Sequence, residues 1–131
     1  MYYFAYGSNL NRKQMLERCP ESKPKFVASL HNYRLVFVGW SRKRRGGVAS
    51  IRLFRGGKVS GAIYEVSEEC LRHLDRFEGS DYNRLNVKVY NEDGDPIEAV
   101  AYINTRQAEE TKPSPQYLSI IKQGYIDWGI I

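Results

Sequence analysis

Apolar and polar positions divide the chain into short segments of differing period. Tyr2-Tyr3-Phe4-Ala5-Tyr6 opens it as an aromatic-rich run too short for a helix, which predicts a β-strand broken by Gly7-Ser8-Asn9. Residues 11–18 have helical character, with Asn11 as N-cap and Gln14 three residues on completing a capping-box pattern. Pro20 and Pro24 enclose a polar connection, after which residues 25–30 and 33–40 read as two strands. In the second of these, Leu35, Phe37 and Gly39 alternate with Arg34, Val36 and Val38. Strands at 48–54 and 59–66 flank Arg55-Gly56-Gly57-Lys58, a hairpin signal. Residues 67–77 predict a helix capped by Ser67, with Glu68 and Glu69 in its first turn and Leu71, Leu74 and Phe77 on one face. Strands at 85–90 and 97–103 follow, joined by a turn at 91–96. A last helix starts at Ser114 with Pro115 in its first position and is expected to end near Gly124.

Hairpins dominate and the helices are interspersed without a βαβ rhythm. That order argues for an α+β domain on a curved, largely antiparallel sheet with helices packed against it. Neither repeat nor linker divides residues 1–131, so one domain is expected. Its 42% hydrophobic and 27% charged residues are ordinary for a soluble protein, and its length suffices for a core without disulfides or metal. No apolar stretch approaches a membrane span and the N-terminus lacks a signal-peptide pattern, so the expectation is a cytoplasmic protein without a membrane partner. Cys19 and Cys70 form no CxxC pair, and with only two histidines a structural zinc is not expected; both thiols should be reduced and partly buried. The net charge of +5 is concentrated in Arg42-Lys43-Arg44-Arg45. Without interleaved aromatics or a recognition helix, this run reads as a solvated inter-strand loop followed by Gly46-Gly47, and no nucleic-acid partner is expected.

Two places carry candidate chemistry. A strand turning through Gly7-Ser8-Asn9 into a helix gathers free backbone N–H groups where glycine allows close approach. The segment reads either as an ordinary turn or as a site for a carboxylate or phosphate. Glu78 follows the second helix and precedes Gly79, so the helix dipole disfavours its charge and pushes its pKa up, as a general base requires. Asp75, three residues earlier, reads as a surface or capping group. Cys70 and His73 lie at i and i+3, but the flanking Leu71 and Leu74 favour core packing over a thiol nucleophile.

YFAYGSNL at 3–10, DRFEGSDY at 75–82 and KPSPQY at 112–117 together resemble the γ-glutamylcyclotransferase family, in its order and at roughly its spacing. The resemblance implies a small mixed, largely antiparallel β-barrel surrounded by helices, with a cavity at one barrel mouth near the first strand–helix turn. It implies an enzyme that needs neither metal nor cofactor, whose partner is a small γ-glutamyl substrate. That substrate is cyclised to 5-oxoproline as the attached amine or amino acid leaves. Glu78 matches the family's catalytic glutamate. Tyr6, Gly7, Ser8, Asn9 and Leu10 match the segment that would hold the glutamyl unit, and Tyr82, Tyr102 and Tyr117 match tyrosines near the cavity. A γ-glutamylamine-specific enzyme and a non-catalytic γ-glutamyl-binding module are the alternatives, and the intact Glu78 argues against the second. The final segment, 125–131, is expected to complete the packing by itself. Neither the leaving amine nor the oligomeric state is legible.

Overall fold

β1 (Tyr2–Ala5) is apolar at successive positions because both of its faces are covered. Phe4 faces a buried cluster drawn from all the strands, including Leu30, Ile51, Ile63, Val89 and Ala101. Tyr3 and Ala5 join a second cluster formed with Met15, Leu71 and Leu74 of the helices. The computed structural model describes residues 1–106 and 108–131. After β1 come a 3₁₀ turn (Ser8–Leu10), α1 (Arg12–Arg18), β2 (Lys23–Ser41), β3 (Gly46–Glu65), α2 (Glu68–Glu78), β4 (Tyr82–Tyr90), β5 (Pro96–Asn104) and α3 (Pro115–Asp127). The strands close a barrel in the order β1-β3-β2-β4-β5. A parallel contact between β1 and β5 at Tyr3 and Val100 completes it, and the other pairings are antiparallel. This is the mixed, largely antiparallel barrel with surrounding helices that the sequence led us to expect.

The stretch expected to form four strands between 25 and 66 forms two. β2 and β3 pair along one long ladder from Lys23 opposite Glu65 to Ser41 opposite Gly46. Arg55-Gly56-Gly57-Lys58 is not a hairpin: Leu53 pairs with Tyr33 and Lys58 with His31, so the intervening residues bulge opposite Asn32. Asn32 adopts φ 65° and accepts the Gly56 N–H on its side chain. The glycines let the chain bend there, but it continues against the same partner and keeps a longer ladder. The reversal falls at the basic run, where Arg45 has φ 59° and donates its N–H to the Ser41 carbonyl.

The helix starts form as read. Asn11, Ser67 and Ser114 each cap with a side-chain oxygen, accepting from the N–H of Gln14, Cys70 and Tyr117. α3 runs past Gly124, which is a contact point and not a C-cap: a Cβ there would lie 2.6 Å from the backbone of Leu10 and Asn11. The helix therefore presses directly on the 3₁₀ turn. Trp128 packs edge-on against Tyr64 and donates its indole N–H to the Leu10 carbonyl, so the last segment does close the packing.

Two expectations are corrected. Cys19 and Cys70 are not free thiols: both are wholly buried and joined in a disulfide linking the end of α1 to the first turn of α2. Their separation of 51 residues hid a Cα–Cα distance of 5.7 Å. The bond also removes Cys70 as a nucleophile. Phe77 does not share the buried face of Leu71 and Leu74; it is 52% exposed beneath the Arg18 guanidinium. Among the described residues, no helix is long and apolar enough to cross a membrane.

Candidate active site

The turn after β1, the C-terminus of α2, the start of β4 and the first turn of α3 meet at one mouth of the barrel. A cleft of about 830 Å³ opens there, lined among others by Ser8, Arg18, Arg44, Glu78, Tyr82 and Tyr117. Beneath it lies a recess of about 30 Å³, walled by Tyr3, Tyr6, Gly7, Ser8, Asn9, Ala49, Glu78, Tyr82, Tyr102 and Tyr117. Ser8, Glu78, Tyr82 and Tyr117 line both spaces and mark the boundary between them.

The 3₁₀ turn starts at Gly7 without a side-chain cap, which leaves its first N–H groups free for a ligand. Gly7 is required for closeness: a Cβ would stand 3.0 Å from that of Ala49, while its φ of −116° is open to any residue. Asn9 is buried and spent on structure. Its amide donates to the Tyr3 hydroxyl, its Oδ1 accepts from Gln14 and Arg18, and its carbonyl accepts from Tyr64. Leu10 does not reach the cavity; it is wholly buried among Met15, Cys19 and Leu74. The tight turn directs Leu10 inward as Ser8 faces the cleft, a division that a continuous motif cannot display.

Glu78 is the last residue of α2, and its carboxylate takes part in no hydrogen bond or ion pair among the described residues. It is half-buried on the cleft floor, open to solvent on one side but surrounded by protein atoms on the others. Burial pushes its pKa up to about 7; Arg18 and Arg44 pull it down and Asp75 adds to the rise. Asp75 has settled partners: it accepts from Arg84 at 3.0 and 2.7 Å and from the Tyr102 hydroxyl at 2.6 Å. Arg84 first, and Tyr102 after it, hold Asp75 below the usual carboxylate range.

The tyrosines converge, with different hydrogen-bond duties. Tyr6 donates to the Tyr102 carbonyl, and Tyr82 donates to the Ala49 carbonyl at 2.6 Å. Tyr102 braces Asp75 and the Leu71 carbonyl. Tyr117 differs: its oxygen accepts the Ala49 N–H at 3.0 Å, so its own proton remains available beside Glu78. Burial raises the Tyr117 pKa and keeps that proton in place.

Sequence reasoning missed Arg18, Gln14 and Arg44. Gln14 does not finish the capping box; its amide donates to Ser8 Oγ at 2.8 Å and Asn9 Oδ1 at 3.0 Å, and its Oε1 accepts from Arg44 at 3.0 Å. Arg18 lies one turn later on the same face and donates to Asn9. That i, i+4 relation between Gln14 and Arg18 was the available signal. Arg44 corrects the reading of the basic run as uniformly solvated: Arg42, Lys43 and Arg45 are exposed, but Arg44 is half-buried over the Tyr117 ring. Among the described residues, no cluster of His, Cys, Asp and Glu is suited to hold a metal ion.

The site's setting is shared with known proteins. The family model described as "Gamma-glutamyl cyclotransferase, AIG2-like" matches residues 3–124. Gamma-glutamylcyclotransferase from Homo sapiens is 34% identical, over 98% of this chain and 71% of its own length. The Mus musculus protein of the same name is 32% identical over the same shares of each chain. A solved structure of a gamma-glutamyl cyclotransferase superimposes with a TM-score of 0.95 at 33% identity, covering 99% of this chain and 80% of the other.

Proposed function

The chain belongs to the gamma-glutamyl cyclotransferase, AIG2-like family, and from that premise we propose that Glu78 is the acid and base of its reaction. The enzyme cyclises γ-glutamyl amides to 5-oxoproline and releases the attached amine. The substrate's α-amino nitrogen attacks its own γ-carbonyl carbon, forming the ring C–N bond. The tetrahedral intermediate then collapses and breaks the bond to the leaving nitrogen. Because attacking and attacked atoms share one chain, holding it folded supplies much of the acceleration. A proton must leave the attacking nitrogen and another must reach the departing one. Glu78 accepts the first and returns it to the second.

What carries this reading is an unpartnered carboxyl at the junction of recess and cleft, where its pKa is pushed up to about 7. A base poised near neutrality takes and returns a proton with little bias. The recess holds roughly one small polar group, which suits the α-carboxylate against the free N–H groups of the 3₁₀ turn. The γ-carbonyl then lies at the boundary, within range of the uncommitted Tyr117 hydroxyl, which donates to the developing oxyanion. Tyr82 and Ser8 shape that boundary, while Tyr6, Asn9 and Tyr102 keep the recess walls in position.

The test is an assay of 5-oxoproline release from a panel of γ-glutamyl amino acids and γ-glutamylamines, run with the wild type and Glu78→Gln. Turnover by the wild type and loss of nearly all turnover in a folded variant that still binds substrate is the expected result. A variant within a few-fold of wild type would remove Glu78 from the chemistry.

A further inference from the structure

Beyond the reaction itself, the cleft contains a cation whose placement the chemistry of ring closure does not require. Arg44 sits in the β2–β3 turn, where its backbone N–H is fixed by Ser41 Oγ at 3.1 Å. Its guanidinium donates to Gln14 Oε1 at 3.0 Å and lies 5.0 Å from the centre of the Tyr117 ring. Both partners are neutral, and among the described residues no carboxylate forms an ion pair with it. Gln14 is itself held by Ser8 and Asn9, so the arginine is anchored to the framework of the site. A half-buried guanidinium, immobilised without a counter-ion, is a place prepared for an anion.

Which anion follows from the two spaces. The residues shared by recess and cleft mark the reacting carbonyl, so the glutamyl head occupies the recess side and the leaving group the cleft side. Arg44 lines the cleft and not the recess, next to Lys43 and the exposed Trp40. We infer that Arg44 binds a carboxylate on the leaving group, so that the enzyme selects γ-glutamyl amino acids over γ-glutamylamines and Arg44 determines that selection. The inference rests on the assignment of the reaction made above.

A matched pair of substrates tests it: γ-glutamylphenylalanine and γ-glutamylphenethylamine, which differ only in the leaving-group carboxylate and keep the same ring for Trp40. The wild type should favour the acid by at least about tenfold in kcat/KM, mostly through KM. Arg44→Gln should shrink that ratio to within about threefold, Arg44→Lys should keep part of it, and added salt should reduce it in the wild type. Arg42→Gln, on the exposed part of the same turn, should leave the ratio unchanged. Equal use of the two substrates by the wild type overturns the inference without needing any variant to fold. An Arg44→Gln enzyme that slows both substrates equally also overturns it, since that is the signature of an effect on Glu78 or on structure. The two readings fail differently. If no 5-oxoproline forms from either substrate, the reaction assignment falls; if it forms equally from both, only the role of Arg44 does.

Discussion

Replacing Glu78 with glutamine should abolish turnover and also stabilise the protein, and the second effect can be sized. Folding moves this carboxyl from 4.5 to about 7, mainly by burial. At 1.36 kcal/mol per pKa unit, the shift corresponds to about 3 kcal/mol. Below pH 4.5 the group is protonated in both folded and unfolded chains and exacts no penalty. Between 4.5 and 7 the folded chain binds more protons than the unfolded one, so stability falls as pH rises. Above 7 the full penalty is present. Glutamine has no such titration. Glu78→Gln should therefore exceed the wild type by up to about 3 kcal/mol at pH 8, roughly 10 °C in Tm for a chain of this length, with the gap closing toward pH 4.5. Melting curves of both proteins across this range provide the measurement. Parallel pH–stability curves would refute the claim that the folded site holds a proton on Glu78. The same titration should govern activity, with kcat/KM of the wild type rising through pH 7 as the base form appears.

Three further outcomes are expected. Tyr117→Phe removes the proposed oxyanion donor and strips the Ala49 N–H of its acceptor, so kcat should fall by about 10²-fold and stability by about 1–3 kcal/mol; an unchanged kcat would reduce the hydroxyl to a structural role. Gly7→Val drives a side chain against Ala49, whose backbone anchors Tyr82 and Tyr117, and should raise KM at least about tenfold and cost about 1–3 kcal/mol; substrate titrations with intact KM would show that the recess tolerates the intrusion. Joint replacement of Cys19 and Cys70 by alanine opens a loop of 51 residues and should cost about 4 kcal/mol in denaturant unfolding; a midpoint equal to that of the wild type would mean the cross-link constrains little.

What the chain determines by itself is local. Asn11, Ser67 and Ser114 cap their helices because a side-chain oxygen needs to reach only two or three residues along the same backbone. Glu78 could be placed at a helix C-terminus for the same reason, and the unfavourable dipole there was legible without a partner in view. Tertiary structure decided whatever depended on distant neighbours. Gly56-Gly57 carries a turn signal, yet the ladder between β2 and β3 runs past it, because pairing is settled over the whole length of both strands. Cys19 and Cys70 meet only once the barrel brings α1 and α2 together. Leu10 and Ser8 belong to one motif, but a single tight turn buries the first and opens the second to the cleft. Arg44 is one of four adjacent basic residues, and nothing in that run distinguishes it until Gln14 of α1 and Tyr117 of α3 arrive beside it. Caps and periodicity act over a few residues of backbone. Which side chains share a cavity is set by closure of the sheet, which gathers positions a hundred residues apart and gives each a solvent exposure, a partner and a charge environment that its immediate neighbours in the chain do not specify.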